Sequence, residues 1–394
     1  MRFSPLVDRI GGEGASAWEI HYRAVRDQRA GRDVIILSVG DPDFDTPAAI
    51  TDATIAALRA GDTHYSDLLG LEELRAAIAR RVQAKTGQAT TLDNVAVMAG
   101  AQCGLFASAL CLLAPGDEVI VPEPMYVTYE ATLQAPGATI VPVPQRAEND
   151  FHLDAEEVAR AITPRTRAIY FATPCNPTGA MMTRAALERI AQLAIKHDLW
   201  VVSDEVYAAL TFGKEHVSIA GLPGMADRAV TISSLSKSHA MTGWRMGWIV
   251  GPMALIDHVH NLSMAMLYGL PTFLQRGAVV ALERDLAEVE IMRATYQRRR
   301  DAAVARLNQV AGLKCHSPDA GMFMMLDVRG TGLSSGDFAE KLYDATGVAV
   351  LDATAFGQSA AGHVRVSFVA DDKSLEEACR RISAFVRDLP GLAA

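Results

Sequence analysis

From about residue 45 to residue 280 the chain alternates short apolar, β-branched runs with longer stretches of helical periodicity, and this restricts it to few folds. The runs are NVAVMA (94–99), DEVIVP (117–122), TIVPV (139–143), AIYFA (168–172), LWVVSD (199–204), AVTIS (229–233) and MGWIV (246–250). Between them lie segments such as TRAALERIAQLAIKH (183–197), whose Leu187, Ile190, Leu193 and Ala194 share one helical face. Strands apolar along their whole length are covered on both faces, so the pattern predicts an α/β fold with a mostly parallel sheet between helices.

The alternation stops near residue 280. A charged, Arg-rich helix, ERDLAEVEIMRATYQRRRDAAVARL, then precedes the short strands GMFMMLDV and HVRVSF, which predicts a smaller α+β unit. A chain of 394 residues is long enough for about two domains. The expected division is a large domain over 45–280 and a small one over 1–44 and 281–394. The N-terminal stretch joins the tail because it holds too little apolar material to fold alone.

Residues 95 to 114 are apolar enough to raise the question of a membrane span, but Gly100 divides them into β-branched residues before it and helix formers after it. Strand, tight turn and buried helix account for them, so no membrane partner is expected. The formal charge of -9 argues against a nucleic-acid partner, which needs clustered Lys and Arg. Five scattered cysteines with no C-x-x-C pair fit a reducing, cytoplasmic setting, and residues 1 to 14 lack the apolar core of a signal peptide. No metal is called for.

Open sheets bind ligands beyond the carboxyl ends of their strands, so the polar residues after each run are the candidates. Gly100-Ala101-Gln102 opens a helix, where free N–H groups attract phosphate; taken by itself it reads first as an ordinary tight turn. Asn176 sits between two prolines in TPCNPTG, a rigid loop that either presents its amide or is simply a turn. Asp204 ends a strand with Tyr207 just beyond; it is either a helix cap or a carboxylate that needs a cationic partner, such as a protonated ring nitrogen. Lys237 lies in apolar, hydroxyl-rich company with Ser234 and Arg245, where desolvation favours the free amine that forms imines. In HVRVSF, Arg365 alternates with apolar neighbours and on pattern alone faces solvent. Each signal is weak alone. Together they supply a phosphate cup, an anion for a ring nitrogen, donors for a phenolate and an imine-forming amine, which are the requirements of pyridoxal phosphate.

The segments Ser234-Leu235-Ser236-Lys237, Gly243-Trp244-Arg245-Met246-Gly247, Asn176-Pro177-Thr178-Gly179 and Asp204-Glu205-Val206-Tyr207 make the chain similar, nearly end to end, to the fold-type I, class I/II aminotransferases. The resemblance implies a pyridoxal 5'-phosphate enzyme that moves an amino group from an amino acid to a 2-oxo acid, as a homodimer with shared active sites. It implies that Lys237 bonds the cofactor's aldehyde and shuttles a proton, and that Asp204 pairs with the ring nitrogen. Tyr207 and Asn176 would bond the ring oxygen, and Tyr126 would stack on the ring. Ala101, Gln102, Ser234 and Arg245 would hold the phosphate, with Tyr65 reaching in from the other subunit. Arg365, with Asn176 and the backbone of Gly40, would bind the substrate α-carboxylate, which reverses the solvent-face reading. AWEIHYRA, LSVGDPDFDTP and SLSKSHAMTGWR resemble a branch of the family that uses arginine as donor and pyruvate as acceptor, with Trp18 or Glu19 expected at the guanidinium. Aspartate, aromatic or broad donors, or β-elimination on sulfur amino acids, remain open alternatives.

Overall fold

A computed structural model describes residues 1–11 and 18–390. After a two-residue strand, Ile35–Ile36 (β1), the seven apolar runs all become strands: Val95–Ala99 (β2), Glu118–Glu123 (β3), Thr139–Pro144 (β4), Thr166–Ala172 (β5), Trp200–Asp204 (β6), Ala229–Ser234 (β7) and Met246–Val250 (β8). They form one sheet in the order β2-β8-β7-β6-β5-β3-β4. Every neighbouring pair is parallel except the two that involve β8, which is antiparallel to both β2 and β7. The expected α/β class and mostly parallel sheet are therefore present. The inverted β8 matters for the site, because it brings its own beginning to the edge where the other six strands end.

Helices cover both faces. Arg184–His197 buries Leu187, Ile190, Leu193 and Ala194, the face its periodicity predicts, and Thr183 caps it by accepting from the Ala186 N–H at 3.2 Å. The apolar stretch after β2 turns at Gly100 (φ 79°) into the buried helix Ala101–Leu112. Among the described residues no helix is long and apolar enough to cross a membrane.

Beyond the sheet, the 21-residue helix Ala287–Leu307 leads to a four-stranded antiparallel sheet. Its strands are Lys314–Cys315 (β9), Phe323–Asp327 (β10), Leu351–Asp352 (β12) and His363–Ser367 (β13), in the order β12-β13-β10-β9. The remaining short strand, Val348–Ala349 (β11), pairs in parallel with β1, and the Ser367 N–H donates to the Leu37 carbonyl at 2.9 Å. The N-terminal segment thus lies on the C-terminal sheet. Every residue of β13 is buried, on both faces. The solvent-face reading of HVRVSF fails for a physical reason: β13 is an inner strand, with chain packed against each side of it.

Candidate active site

The carboxyl ends of β2, β5, β6 and β7 and the beginning of β8 meet at one edge of the large sheet. There Ala101, Gln102, Tyr126, Asn176, Asp204, Tyr207, Ser234, Lys237 and Arg245 line one pocket, together with Leu105 and Thr242. Nine residues expected at a shared site, drawn from six separate segments, are brought together.

One end of the pocket is built for an anion. The 12-residue helix Ala101–Leu112 points its first N–H groups there. Arg245 packs so closely over Gly100 that a Cβ on that glycine would lie 2.2 Å from Nη2. A Cβ on Gly247 would lie 2.5 Å from the Ala101 nitrogen, so the cup closes only because both positions lack side chains. Arg245 itself takes the left-handed conformation (φ 55°) and donates to the Thr242 carbonyl at 2.7 Å. It has no carboxylate partner among the described residues, which leaves its charge available to an anionic ligand.

At the other end Asp204 is buried. Its Oδ2 accepts from the Tyr129 hydroxyl at 2.9 Å and its Oδ1 from the Val206 N–H at 3.2 Å. Burial pushes its carboxyl up to about 6, with those two bonds opposing. A carboxylate so placed without a cation near it suits a protonated ring nitrogen. Lys237 donates from Nζ to the Gly40 carbonyl at 2.6 Å. Burial, reinforced by the charges of Arg365 and Arg245 and opposed by Asp41, lowers its ammonium to about 8. Such an amine is free to a useful extent near neutral pH.

Arg365 reaches this region from β13 and is only 1% exposed. Nη1 donates to Asn176 Oδ1 at 2.9 Å and Nη2 to the Ser38 carbonyl at 2.6 Å, while Nε finds no partner among the described residues. The guanidinium lies over the rings of Phe323 (3.9 Å) and Phe356 (4.8 Å). Among the described residues no carboxylate neutralises it, and burial pushes it down to about 10. An arginine held in this way is short of an anion.

Three expected residues stand apart. Tyr65 is 83% exposed and rests edge-on against Tyr268, outside the pocket. Glu19 lines a different cavity, beyond Phe356. Trp18 packs its ring against His21 (5.5 Å), whose Nδ1 meets Ser38 Oγ at 2.9 Å. Sequence reasoning missed Tyr129, Thr242 and Ser38. Tyr129 follows Tyr126 at helical spacing in PEPMYVTY, so a second ring toward the same pocket was a readable signal. Nothing in the sequence marks Ser38, whose part is played by a main-chain carbonyl.

An anion cup, a buried carboxylate, a lysine whose ammonium is lowered to about 8 and an arginine with no carboxylate partner among the described residues, all at one sheet edge, fit pyridoxal 5'-phosphate and an amino acid. This is the site of a pyridoxal-phosphate-dependent transferase of amino groups. The chain belongs to the aminotransferases of class I and II, whose family model matches residues 32–382. It is 56% identical to the arginine–pyruvate transaminase AruH of Pseudomonas aeruginosa over 393 residues, covering all of both chains. It is 38% identical to an aspartate aminotransferase of Pyrococcus abyssi, over 93% of this chain and 95% of that one. The aspartate aminotransferase of Thermus thermophilus, solved with maleate, superposes with a TM-score of 0.93 at 34% identity, over 98% of this chain and 100% of that one.

Proposed function

We propose that this aminotransferase takes the amino group of L-arginine and passes it to pyruvate, in the cytoplasm, as a homodimer. The observation that carries the donor is a cavity of about 800 Å³ lined by Phe356, whose ring also lies 4.8 Å from the Arg365 guanidinium. Glu19, Glu123, Glu130, Glu340 and Asp352 line it, and no Lys or Arg does. Glu340 is paired with Arg23, and Glu123 accepts from Ser359, but Glu19 and Glu130 meet no cation among the described residues. Carboxylates on that side suit a guanidinium, and the likeness to an arginine–pyruvate transaminase supports the same donor.

The cofactor, when bound, supplies an aldehyde and a ring that accepts the electrons left on the substrate's Cα. The residues divide the remaining work. Lys237 would be the covalent anchor, and its amine, when not so bonded, would take the proton from the substrate Cα as a general base. Asp204, oriented by the Tyr129 hydroxyl and the Val206 N–H, would keep the ring nitrogen protonated. Tyr207 and Asn176 would donate to the ring oxygen, and Tyr126 would pack beside the ring. Ala101, Gln102, Ser234 and Arg245 would hold the phosphate, with Tyr65 contributed across the dimer; its exposure beside Tyr268 supports that role. Arg365, steadied by Asn176 and Ser38, clamps the α-carboxylate, and the Gly40 carbonyl directs the Lys237 amine. A panel of amino donors with pyruvate, scored by alanine formed, tests the reading. Arginine should lead, and strong turnover of aspartate or aromatic donors with none of arginine would overturn the donor assignment.

A further inference from the structure

At the end of the small sheet farthest along β10 from Phe323, three side chains converge that have no part in transamination. His316 follows β9, Asp327 ends β10 and His363 begins β13, with Asp327 and His363 directly opposite in register. Each offers one ligand-capable atom, and these atoms lie within 4.8 Å of one another. His316 is 5% exposed and His363 1%.

The hydrogen bonds around the two rings decide what they present to each other. His363 Nδ1 meets the Ala361 carbonyl at 3.1 Å, and a carbonyl only accepts, so Nδ1 carries the proton. His316 Nδ1 meets Asp150 Oδ1 at 3.0 Å, and a carboxylate imposes the same tautomer. In each neutral ring Nε2 is then a bare lone pair. Both Nε2 atoms are buried and meet no hydrogen-bond partner among the described residues. The two lone pairs stand beside a carboxylate, with His363 Nε2 3.9 Å from Asp327 Oδ2, and neither of them meets a cation among the described residues. Imidazoles oriented through Nδ1 by a carboxylate or a carbonyl, with Nε2 turned inward, are the arrangement that metal-binding histidines adopt.

The backbone supports the same geometry. Asp150 and Phe151 are consecutive non-glycine residues in the left-handed region (φ 47° and 59°), a conformation that costs each of them energy. It sets Asp150 on His316 and wedges the Phe151 ring against both imidazoles, at 5.2 and 5.3 Å. The competing cation is Arg329, which holds Asp327 through Nε and Nη2, the latter at 2.7 Å. Its side chain is 53% exposed and has room to withdraw.

We infer that His316, His363 and Asp327 form a binding site for a divalent transition-metal ion, zinc by preference, with Asp150 as the positioning residue that fixes the His316 ring. Two imidazoles and one carboxylate favour zinc, cobalt or nickel over magnesium and calcium, which prefer all-oxygen shells. Zinc–ligand bonds of about 2.0–2.1 Å need these atoms closer together than they stand, a contraction of about an ångström that rotation of the side chains supplies. The ion would tie the ends of β9, β10 and β13 together, two residues from Arg365.

The test uses cofactor-loaded enzyme stripped with a chelator and then titrated with Co²⁺ as a spectroscopic probe. One equivalent should bind, with visible d–d bands to the red of the cofactor's absorption. Zn²⁺ should displace it and Mg²⁺ should not. At zinc 100-fold above its dissociation constant, the folding equilibrium should shift about 100-fold toward the native state. H316Q and H363Q should lose the bands while keeping the cofactor's absorption. D150N alters a side chain 70% exposed, which protects its fold, and should weaken binding roughly 10–100-fold. Cobalt binding without d–d bands, or equal binding by wild type, H316Q and D150N, would overturn the site. The same holds if the two rings prove to share only a proton.

Discussion

Replacing Arg365 by lysine keeps a positive charge at the position and removes the planar fork, and so isolates what the fork does. In the native protein the guanidinium spans Asn176 Oδ1 and the Ser38 carbonyl and lies over two phenylalanine rings. Its fall from the usual arginine range to about 10 corresponds to roughly 3 kcal/mol of disfavour for the buried charge, which an arriving carboxylate would relieve. A lysine ammonium has three donors on one nitrogen, so it meets a carboxylate as a point charge and cannot form the bidentate pair while also spanning both of the native acceptors. The loss is about one charge-assisted hydrogen bond plus part of the ring contact, roughly 2–4 kcal/mol in all. In kcat/KM for arginine, and for pyruvate, that is a drop of roughly 30- to 1000-fold. Burial that lowers an arginine lowers a lysine too, so the defect should deepen as pH rises from about 7 to about 9 and the amine loses its proton. The control is the decarboxylated amine of arginine as donor: lacking a carboxylate, it should react equally poorly with both enzymes. Steady-state kinetics with both donors, alongside cofactor absorbance to establish loading, makes the measurement. A variant within about threefold of wild type on arginine, or one that loses as much on the decarboxylated amine, refutes the carboxylate-clamp argument.

Other expectations follow from the same geometry. With Lys237 at about 8 rather than 10.5, the free-amine fraction at pH 7.5 is roughly 200-fold higher than for an ordinary lysine. Capture of cofactor by the apo-protein, followed by absorbance, should therefore speed up with pH through about 8 and then level off. Borohydride should fix the cofactor to residue 237, and Lys237→Ala should leave nothing to trap. Asp204 in the cofactor-free protein has its carboxyl raised from 3.8 to about 6, so the folded state binds that proton more tightly than the unfolded one. The penalty is absent below the unfolded value, grows as pH rises through 4 to 6 and is complete above. Asp204→Asn should accordingly raise the apo-protein's Tm at pH 7 and not at pH 4, while lowering kcat of the loaded enzyme roughly 100- to 1000-fold. Glu19→Gln combined with Glu130→Gln should raise KM for arginine about 10-fold or more and leave that for pyruvate unchanged; equal KM values for arginine would remove both residues from donor recognition.

The large sheet was legible because its signals are local. Each of the seven runs is apolar or β-branched over four residues or more and ends at a turn or polar residue, so strand identity needed no knowledge of partners. The candidate pocket was legible for the same reason: Gly100, Asn176, Asp204 and Lys237 each follow a strand, and a parallel sheet gathers such positions at one edge. The antiparallel sense of β8 was not readable, although it alone sets Arg245 beside Gly100. Trp18 or Glu19 was expected at the substrate guanidinium; Glu19 lines a cavity while Trp18 packs on His21, because consecutive helical residues point in different directions.

Residue types and their order along the chain were enough to determine that this protein folds around a mostly parallel sheet and carries a lysine, a carboxylate and a phosphate-binding turn at strand ends. The tertiary structure alone decided which of those groups are dry. Arg365 bonds residues 189 and 327 positions away, Tyr129 reaches Asp204 across 75, and two histidines 47 residues apart turn bare nitrogens toward one another. Desolvation and charge pairing depend on what fills the few ångströms around an atom, and a linear sequence specifies that only after the chain has packed.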